Sequence, residues 1–263
     1  MDPVIEPASY RPSVSMLGWA LNEQDNLREY VDRAESFLRQ VSDDFELILF
    51  DDGSTDRTWD IACELQSTRP WLRLIKNGEN RGSGYCYRRG IKEARKKYFL
   101  AQTVDWAYDI SELGRSFDLL GQYDVLQGVR AGTLSLSGML TRSDNAFKAF
   151  VSIVNYTLIR ILFRLPLADY QNVTVCPTHL IQPVTLEADS SFANPEVLLN
   201  AWWQGASFKE IPVPFNKRLR GQATGTRWRR VAKSIFEIWR CWFRLVVLGK
   251  RVQRGRGTVV SAG

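Results

Sequence analysis

The chain has 263 residues, 44% of them hydrophobic and 24% charged, a balance that builds a folded core and excludes a disordered polymer. Its four cysteines stand far apart without Cys/His pairing, and His179 is the only histidine, which argues against a structural zinc site or a histidine-based triad. The net charge of +6 conceals an asymmetry: thirteen Lys/Arg face one acid, Glu237, between Lys217 and Arg256, a local +12 that leaves about −6 elsewhere.

The opening "MDPVIEPASYRPS" is acidic and proline-punctuated, so no signal peptide is expected and the thiols are read as reduced in a cytoplasmic protein. "SVSMLGWAL" (13–21) predicts a first strand, followed by a helix in which Leu27, Tyr30, Val31, Ala34, Phe37 and Leu38 recur at helical spacing. Asn22 is its expected N-cap. "FELILF" predicts the second strand, and it ends on two adjacent carboxylates, Asp51 and Asp52. A helix over about 56–67 comes next, with Trp59, Ile61, Ala62 and Leu65 inward. A third strand (71–77), a Gly-rich turn opening a third helix at "RGSGYCYRRGIKEARKK", and a fourth strand "YFLAQTVD" (98–105) complete the regular half.

Strands alternating with helices predict an α/β fold, a mostly parallel sheet covered on both faces, with ligands at the carboxyl ends of the strands. Asp51, Asp52 and Asp105 fall at those ends. Beyond residue 123 the pattern loosens, with an apolar stretch at 150–167 and a late strand "FKEIPVPF". The apolar stretch carries two arginines and an asparagine and falls short of the roughly 18 apolar residues of a membrane span.

Residues 227–248 predict a C-terminal amphipathic helix. Trp228, Val231, Ala232, Ile235, Trp239, Trp242, Phe243 and Val246 would form one face, with Arg227, Arg229, Arg230, Lys233 and Arg240 on or near the other. Aromatic residues opposite cations suit a helix lying in the headgroup layer of an anionic membrane; an ordinary core-facing helix is the alternative. No recognition motif supports nucleic-acid binding. Two units are expected, a catalytic domain at 1–225 and a basic membrane-associating tail at 226–263. A homo-oligomer is left open.

Five ordered stretches, "LNEQDNL", "LILFDDGSTDRT", "NRGSGYCYRRGIKEA", "DVLQGVR" and "EIPVPFNKRLRG", resemble the family 2 glycosyltransferases of the GT-A (Rossmann-like) fold. The subgroup they resemble most contains dolichol-phosphate mannose synthase and the bacterial polyprenyl-phosphate glycosyltransferases. The resemblance implies that Asn22, Glu23, Asp51 and Asp52 hold the nucleoside of a UDP- or GDP-linked sugar, with Arg81 and Gly82 enclosing the base. A carboxylate only accepts hydrogen bonds, which suits a base N–H or a ribose diol.

Where the family has Asp-x-Asp for Mg²⁺ or Mn²⁺, this chain has Thr103-Val104-Asp105, and a further metal-ligating Gln is Ala107. The resemblance therefore implies weak metal binding at Asp105, completed by the nucleotide, with Asp109 as a substitute ligand. It also implies an acceptor-phosphate site at Arg130, Lys148, Ser152 and Arg218, and catalytic roles for Asp105, Asp169, Glu196 and Arg218.

The implied function is an inverting, peripheral-membrane glycosyltransferase of cell-envelope glycan biosynthesis. It would move a sugar from a nucleotide donor to a polyprenyl or dolichyl phosphate at the cytoplasmic face. A phosphate monoester is largely ionised near neutral pH and needs no strong general base, in keeping with the scarcity of histidine. Transfer to a saccharide or other hydroxyl, and a binding homologue without turnover, are the alternatives.

Overall fold

The computed structural model describes residues 10–130, 146–190, 192–214, 228–248 and 257–261, with the backbone alone at 146–152 and 228–231. Strands β1 (Val14–Ala20), β2 (Phe45–Asp51), β3 (Leu72–Lys76) and β4 (Tyr98–Ala101) alternate with helices α1 (Leu27–Val41), α2 (Thr58–Gln66) and α3 (Ser83–Glu93). A short helix α4 (Ser111–Arg115) and a 3-10 turn lead to β5 (Val125–Arg130). Then come α5 (Ala146–Phe163), β6 (Thr174–Pro177), α6 (Thr178–Ile181), α7 (Ala193–Trp203), β7 (Phe208–Val213), α8 (Trp228–Trp242) and β8 (Val259–Val260).

The strands form one sheet in the order β3-β2-β1-β4-β6-β5-β7-β8. Among the described strands only β6 runs against its neighbours, β4 and β5. The carboxyl ends of β1, β2, β4, β5 and β7 therefore share one edge. Side-chain alternation divides the core: Met16, Leu47 and Leu49 pack with α1 and α2, whereas Leu17, Ile48 and Phe50 pack with α3, α5 and α7. Burial on both faces explains why β2 reads as an unbroken apolar run. Each such buried side chain contributes about 1.5–3 kcal/mol.

Two local expectations fail for identifiable reasons. Helix α1 begins at Leu27 rather than after Asn22. Asn22 has a φ of 55°, and its Oδ1 accepts the Thr55 amide from across the strand end instead of capping α1. Strand β4 stops at Ala101 rather than continuing to Asp105. Gln102 turns the chain there, donating to the Tyr108 carbonyl at 2.7 Å while its Oε1 accepts the Thr103 amide.

The tail is tied to the body. Ser234, Glu237, Ile238 and Cys241, at the i, i+3, i+4, i+7 spacing, are the buried face of α8. Past Trp242 the helix widens into a π turn, Phe243–Val247. The apolar face expected from the sequence is divided: Trp239 and Phe243 are exposed, whereas Ile235, Trp242 and Val246 are half-buried. Trp228 and Val231 have no described side chain. Farther on, β8 extends the main sheet by pairing with β7, Phe208 opposite Val259. Among the described residues no helix is long and apolar enough to cross a membrane.

Candidate active site

Asp51 ends β2, Asp52 directly follows it, and both are buried. Asp52 is engaged by the protein: its Oδ1 accepts Asn77 Nδ2 at 2.8 Å and the Arg81 amide at 2.9 Å, and its Oδ2 accepts the Gly82 amide at 2.8 Å. Two successive backbone donors on a carboxylate fix the start of α3. Cys86 lies beneath, 3.4 Å from Asn77 Nδ2, and burial followed by the nearby Asp52 charge pushes its thiol up to about 12. Asp51 differs. Its Oδ1 accepts the Ser54 amide at 3.1 Å, but its Oδ2 is buried with no hydrogen-bond partner among the described residues.

Gly53 lets the chain turn between the two loops. Its φ is 81°, and a Cβ there would stand 2.6 Å from the Glu79 carbonyl carbon. The loop that follows is stitched to the end of β1. Ser54 Oγ accepts the Asn22 amide at 3.0 Å, and Thr58 Oγ1 accepts the Glu23 amide at 2.9 Å. The Glu23 carboxylate accepts Asn26 Nδ2 at 2.7 Å. Arg81 is exposed, with its guanidinium beside Glu79 and over the Tyr85 ring.

Asp105 sits in the turn after β4, on the same edge. Its Oδ1 accepts the Thr103 hydroxyl at 2.5 Å and the Ala107 amide at 3.3 Å. Asp109 Oδ1 accepts the Ser111 amide. Among the described residues no three His, Cys, Asp or Glu side chains converge as a metal site. The donor set fits a divalent ion only as one carboxylate, Asp105, beside oxygens that a ligand brings.

On the other half of the edge, Arg130 and Asp169 grip each other through two contacts, Nε to Oδ2 at 2.8 Å and Nη2 to Oδ1 at 3.2 Å. Burial opposes the charged guanidinium, but the Asp169 carboxylate and Tyr108 together outweigh it and raise Arg130 above the usual arginine value. Asn172 is buried nearby, its Oδ1 accepting the Val173 amide and its Nδ2 unpartnered among the described residues. Glu196, in the first turn of α7, accepts the Glu187 and Ala188 amides, each at 2.8 Å, and pairs with Arg244 of the tail at 2.6 Å.

Lys148 and Ser152 fall on α5 without described side chains, and Arg218 lies outside the described residues. His179 is exposed beyond β6, which ends opposite the start of β4, at the far edge of the sheet. Sequence reading missed Asn77, although it directly follows β3 as Asp52 directly follows β2, and the strand-end rule that selects the aspartates selects it too. It also missed Glu237, and read Glu196 as catalytic without its link to the tail, because the partners in both contacts lie about 50 residues apart in sequence.

The family model "Glycosyl transferase family 2" matches residues 19–180. A dolichyl-phosphate beta-glucosyltransferase of Dictyostelium discoideum is 33% identical over 114 residues, 41% of this chain and 35% of that protein. A dolichol-phosphate mannosyltransferase of Pyrococcus furiosus is 34% identical over 92 residues, 35% of this chain and 25% of that protein. An undecaprenyl-phosphate 4-deoxy-4-formamido-L-arabinose transferase of Pectobacterium carotovorum is 26% identical over 160 residues, 60% of this chain and 46% of that protein.

The matched region thus spans less than half the length of each of these relatives. A mannosyltransferase of Pyrobaculum calidifontis, solved with GDP-Man and Mn²⁺, superposes with a TM-score of 0.60 at 13% identity, covering 93% of this chain and 71% of that one. Glucosyl-3-phosphoglycerate synthase of Mycobacterium tuberculosis, solved with Mn²⁺, UDP and phosphoglyceric acid, gives 0.61 at 12% identity, covering 88% and 78%. At such identities the likeness is one of fold.

Proposed function

This chain belongs to glycosyl transferase family 2, and from that premise we propose that it moves a sugar from a nucleotide donor to a polyprenyl phosphate at the cytoplasmic membrane face. The observation that carries the reading is Asp51 Oδ2, a buried carboxylate oxygen with no donor among the described residues. Leaving such an oxygen bare costs about 1–3 kcal/mol or more. A base N–H or a ribose hydroxyl arriving at the strand ends satisfies it. Asp52 then serves by holding Arg81 and Gly82 as one wall, and Asn22 and Glu23 by closing the opposite loop.

Asp105 would hold a divalent ion together with the donor's phosphates, and the ion would neutralise the diphosphate as it leaves. The sugar is attacked at its anomeric carbon by a lipid phosphate oxygen, with inversion. Alignment and charge stabilisation are the main work. Of the acids that could deprotonate a sugar hydroxyl, Asp105 accepts the Thr103 hydroxyl and would face the metal, whereas Asp169 and Glu196 are paired with Arg130 and Arg244. That commitment favours a phosphate acceptor over a hydroxyl one. The named relatives acting on dolichyl and undecaprenyl phosphates support the same choice.

Attachment to the bilayer is assigned to α8. Phe236, Trp239, Phe243 and Val247 are 64%, 46%, 51% and 52% exposed, and their spacing makes one apolar stripe. The structural neighbours hold GDP-linked and UDP ligands, so the base stays open.

The test is release of nucleoside diphosphate from a panel of UDP- and GDP-sugars, with polyprenyl phosphate as sole acceptor. Release that requires the lipid phosphate is the expected result. Transfer to a saccharide in its place, or no turnover with any donor, would overturn the reading.

A further inference from the structure

Glu237 lies on the buried face of α8, and both of its oxygens are directed at one loop. Oε1 accepts the Asp189 amide at 3.1 Å, and Oε2 accepts the Ser190 amide at 3.3 Å and the Ser190 hydroxyl. The same loop is held from α7 by Glu196 through the amides of Glu187 and Ala188. Four consecutive backbone donors, 187 to 190, are thus fixed by two buried carboxylates. Such charge-assisted bonds are roughly twice as strong as neutral ones.

What the loop presses against gives it meaning. A Cβ on Gly84 would stand 2.4 Å from the Asp189 carbonyl carbon, so the loop backbone is in tight contact with the first turn of α3. Arg88, one turn farther along α3, binds the Asp189 carboxylate and the Leu186 carbonyl. Gly82, two residues before Gly84, is the residue whose amide Asp52 holds. The start of α3 is therefore wedged between Asp52 on one side and the 187–190 loop on the other.

The geometry points to Glu237 as a positioning residue for the nucleotide donor. Through Asp189 and Ser190 it keeps the first turn of α3 seated against Asp52, and so keeps the wall beside Asp51 in place. A tail helix that carries the apolar stripe on one face thereby supports the donor pocket with the other. This inference rests on the donor-site reading of Asp51.

The experiment compares Glu237→Ala, Ser190→Ala and Ile238→Ala in the full chain, by titration with UDP and with GDP and by steady-state kinetics. Ile238 is fully buried on the same face but has no polar side-chain atom to accept the loop amides, so it controls for loosened helix docking. Glu237→Ala should raise the nucleotide Kd and the donor KM about tenfold with kcat within about twofold. Glu237→Gln, which retains an acceptor oxygen, should recover part of the loss. Ser190→Ala should shift donor KM in the same direction, and Ile238→Ala should lower thermal stability without moving it. An unchanged donor KM in Glu237→Ala, or an equal rise in Ile238→Ala, would overturn the inference. Asp51→Asn measured alongside separates the failures: unchanged nucleotide affinity there overturns the donor-site reading itself, whereas a weakened Asp51→Asn beside an unaffected Glu237→Ala overturns only this step.

Discussion

The guanidinium of Arg130 and the carboxylate of Asp169 form a two-contact ion pair at the end of β5, with Asp169 almost wholly removed from solvent. Residues for which the family resemblance implies separate tasks, acceptor binding and catalysis, are each other's partners. Removing one member strands a buried charge, which costs about 3–5 kcal/mol. Arg130→Met should therefore lower the free energy of unfolding by about 3 kcal/mol. Asp169→Asn should cost less, because the amide oxygen can still accept the Gln171 amide. Urea denaturation decides the point, and a loss below about 0.5 kcal/mol for Arg130→Met would show the pair to be structurally idle.

Metal binding should depend on nucleotide. Asp105 brings one carboxylate, and the Thr103 hydroxyl already donates to it. Calorimetry with Mn²⁺ alone should show weak binding, tightening once UDP or GDP is added. Thr103→Asp should strengthen the nucleotide-free binding, and Asp105→Ala should abolish turnover. Full activity in excess chelator would exclude the ion and leave charge stabilisation to arginines.

The apolar stripe of α8 should govern vesicle attachment. Lys233, Arg240 and Arg244 have carboxylate partners in Asp189, Glu187 and Glu196. Trp239→Ala combined with Phe243→Ala should abolish sedimentation with anionic vesicles while leaving the fold intact, since both rings face solvent. Undiminished sedimentation of the double variant would assign attachment to other residues. Deleting α8 together with its π turn is a harsher change, because Glu196 would lose Arg244 and stay buried. That deletion should lower the thermal midpoint.

Much of this was legible in the sequence. The apolar runs of β1 and β2 and the helical period of α1 are strong local signals, and two carboxylates at a strand end mark the binding edge. Less legible was which aspartate is free. Asp51 and Asp52 look equivalent until Asn77, Arg81 and Gly82 close on the second of them. The docking of the tail was hidden for a related reason. Its buried face carries Ser234 and Glu237, polar residues that a hydrophobic period assigns to solvent, and only their distant partners reverse that.

Thiol chemistry gives a test in pH. Cys63 is exposed, and Cys86, Cys176 and Cys241 are buried. At pH 8 a thiol reagent should label one cysteine quickly in the native state and all four after unfolding. Burial, then Asp52 for Cys86 and Glu196 for Cys241, pushes both thiols up from 9.0 to about 12. Folding therefore favours their protonated form. Their contribution to stability is complete below pH 9 and is lost as pH rises from there toward 12. A flat unfolding free energy across that interval would contradict the burial of these groups.

The most direct measurement is nucleotide titration of Asp51→Asn beside the unmodified chain. Asp51 Oδ2 is a buried carboxylate oxygen with no hydrogen-bond partner among the described residues, and a hydrogen bond to a charged group contributes about 1.5–3 kcal/mol. The variant should bind its preferred nucleoside diphosphate about tenfold to a hundredfold more weakly, with an unchanged unfolding midpoint. Equal affinity in the two proteins would remove Asp51 from the donor site and with it the central claim.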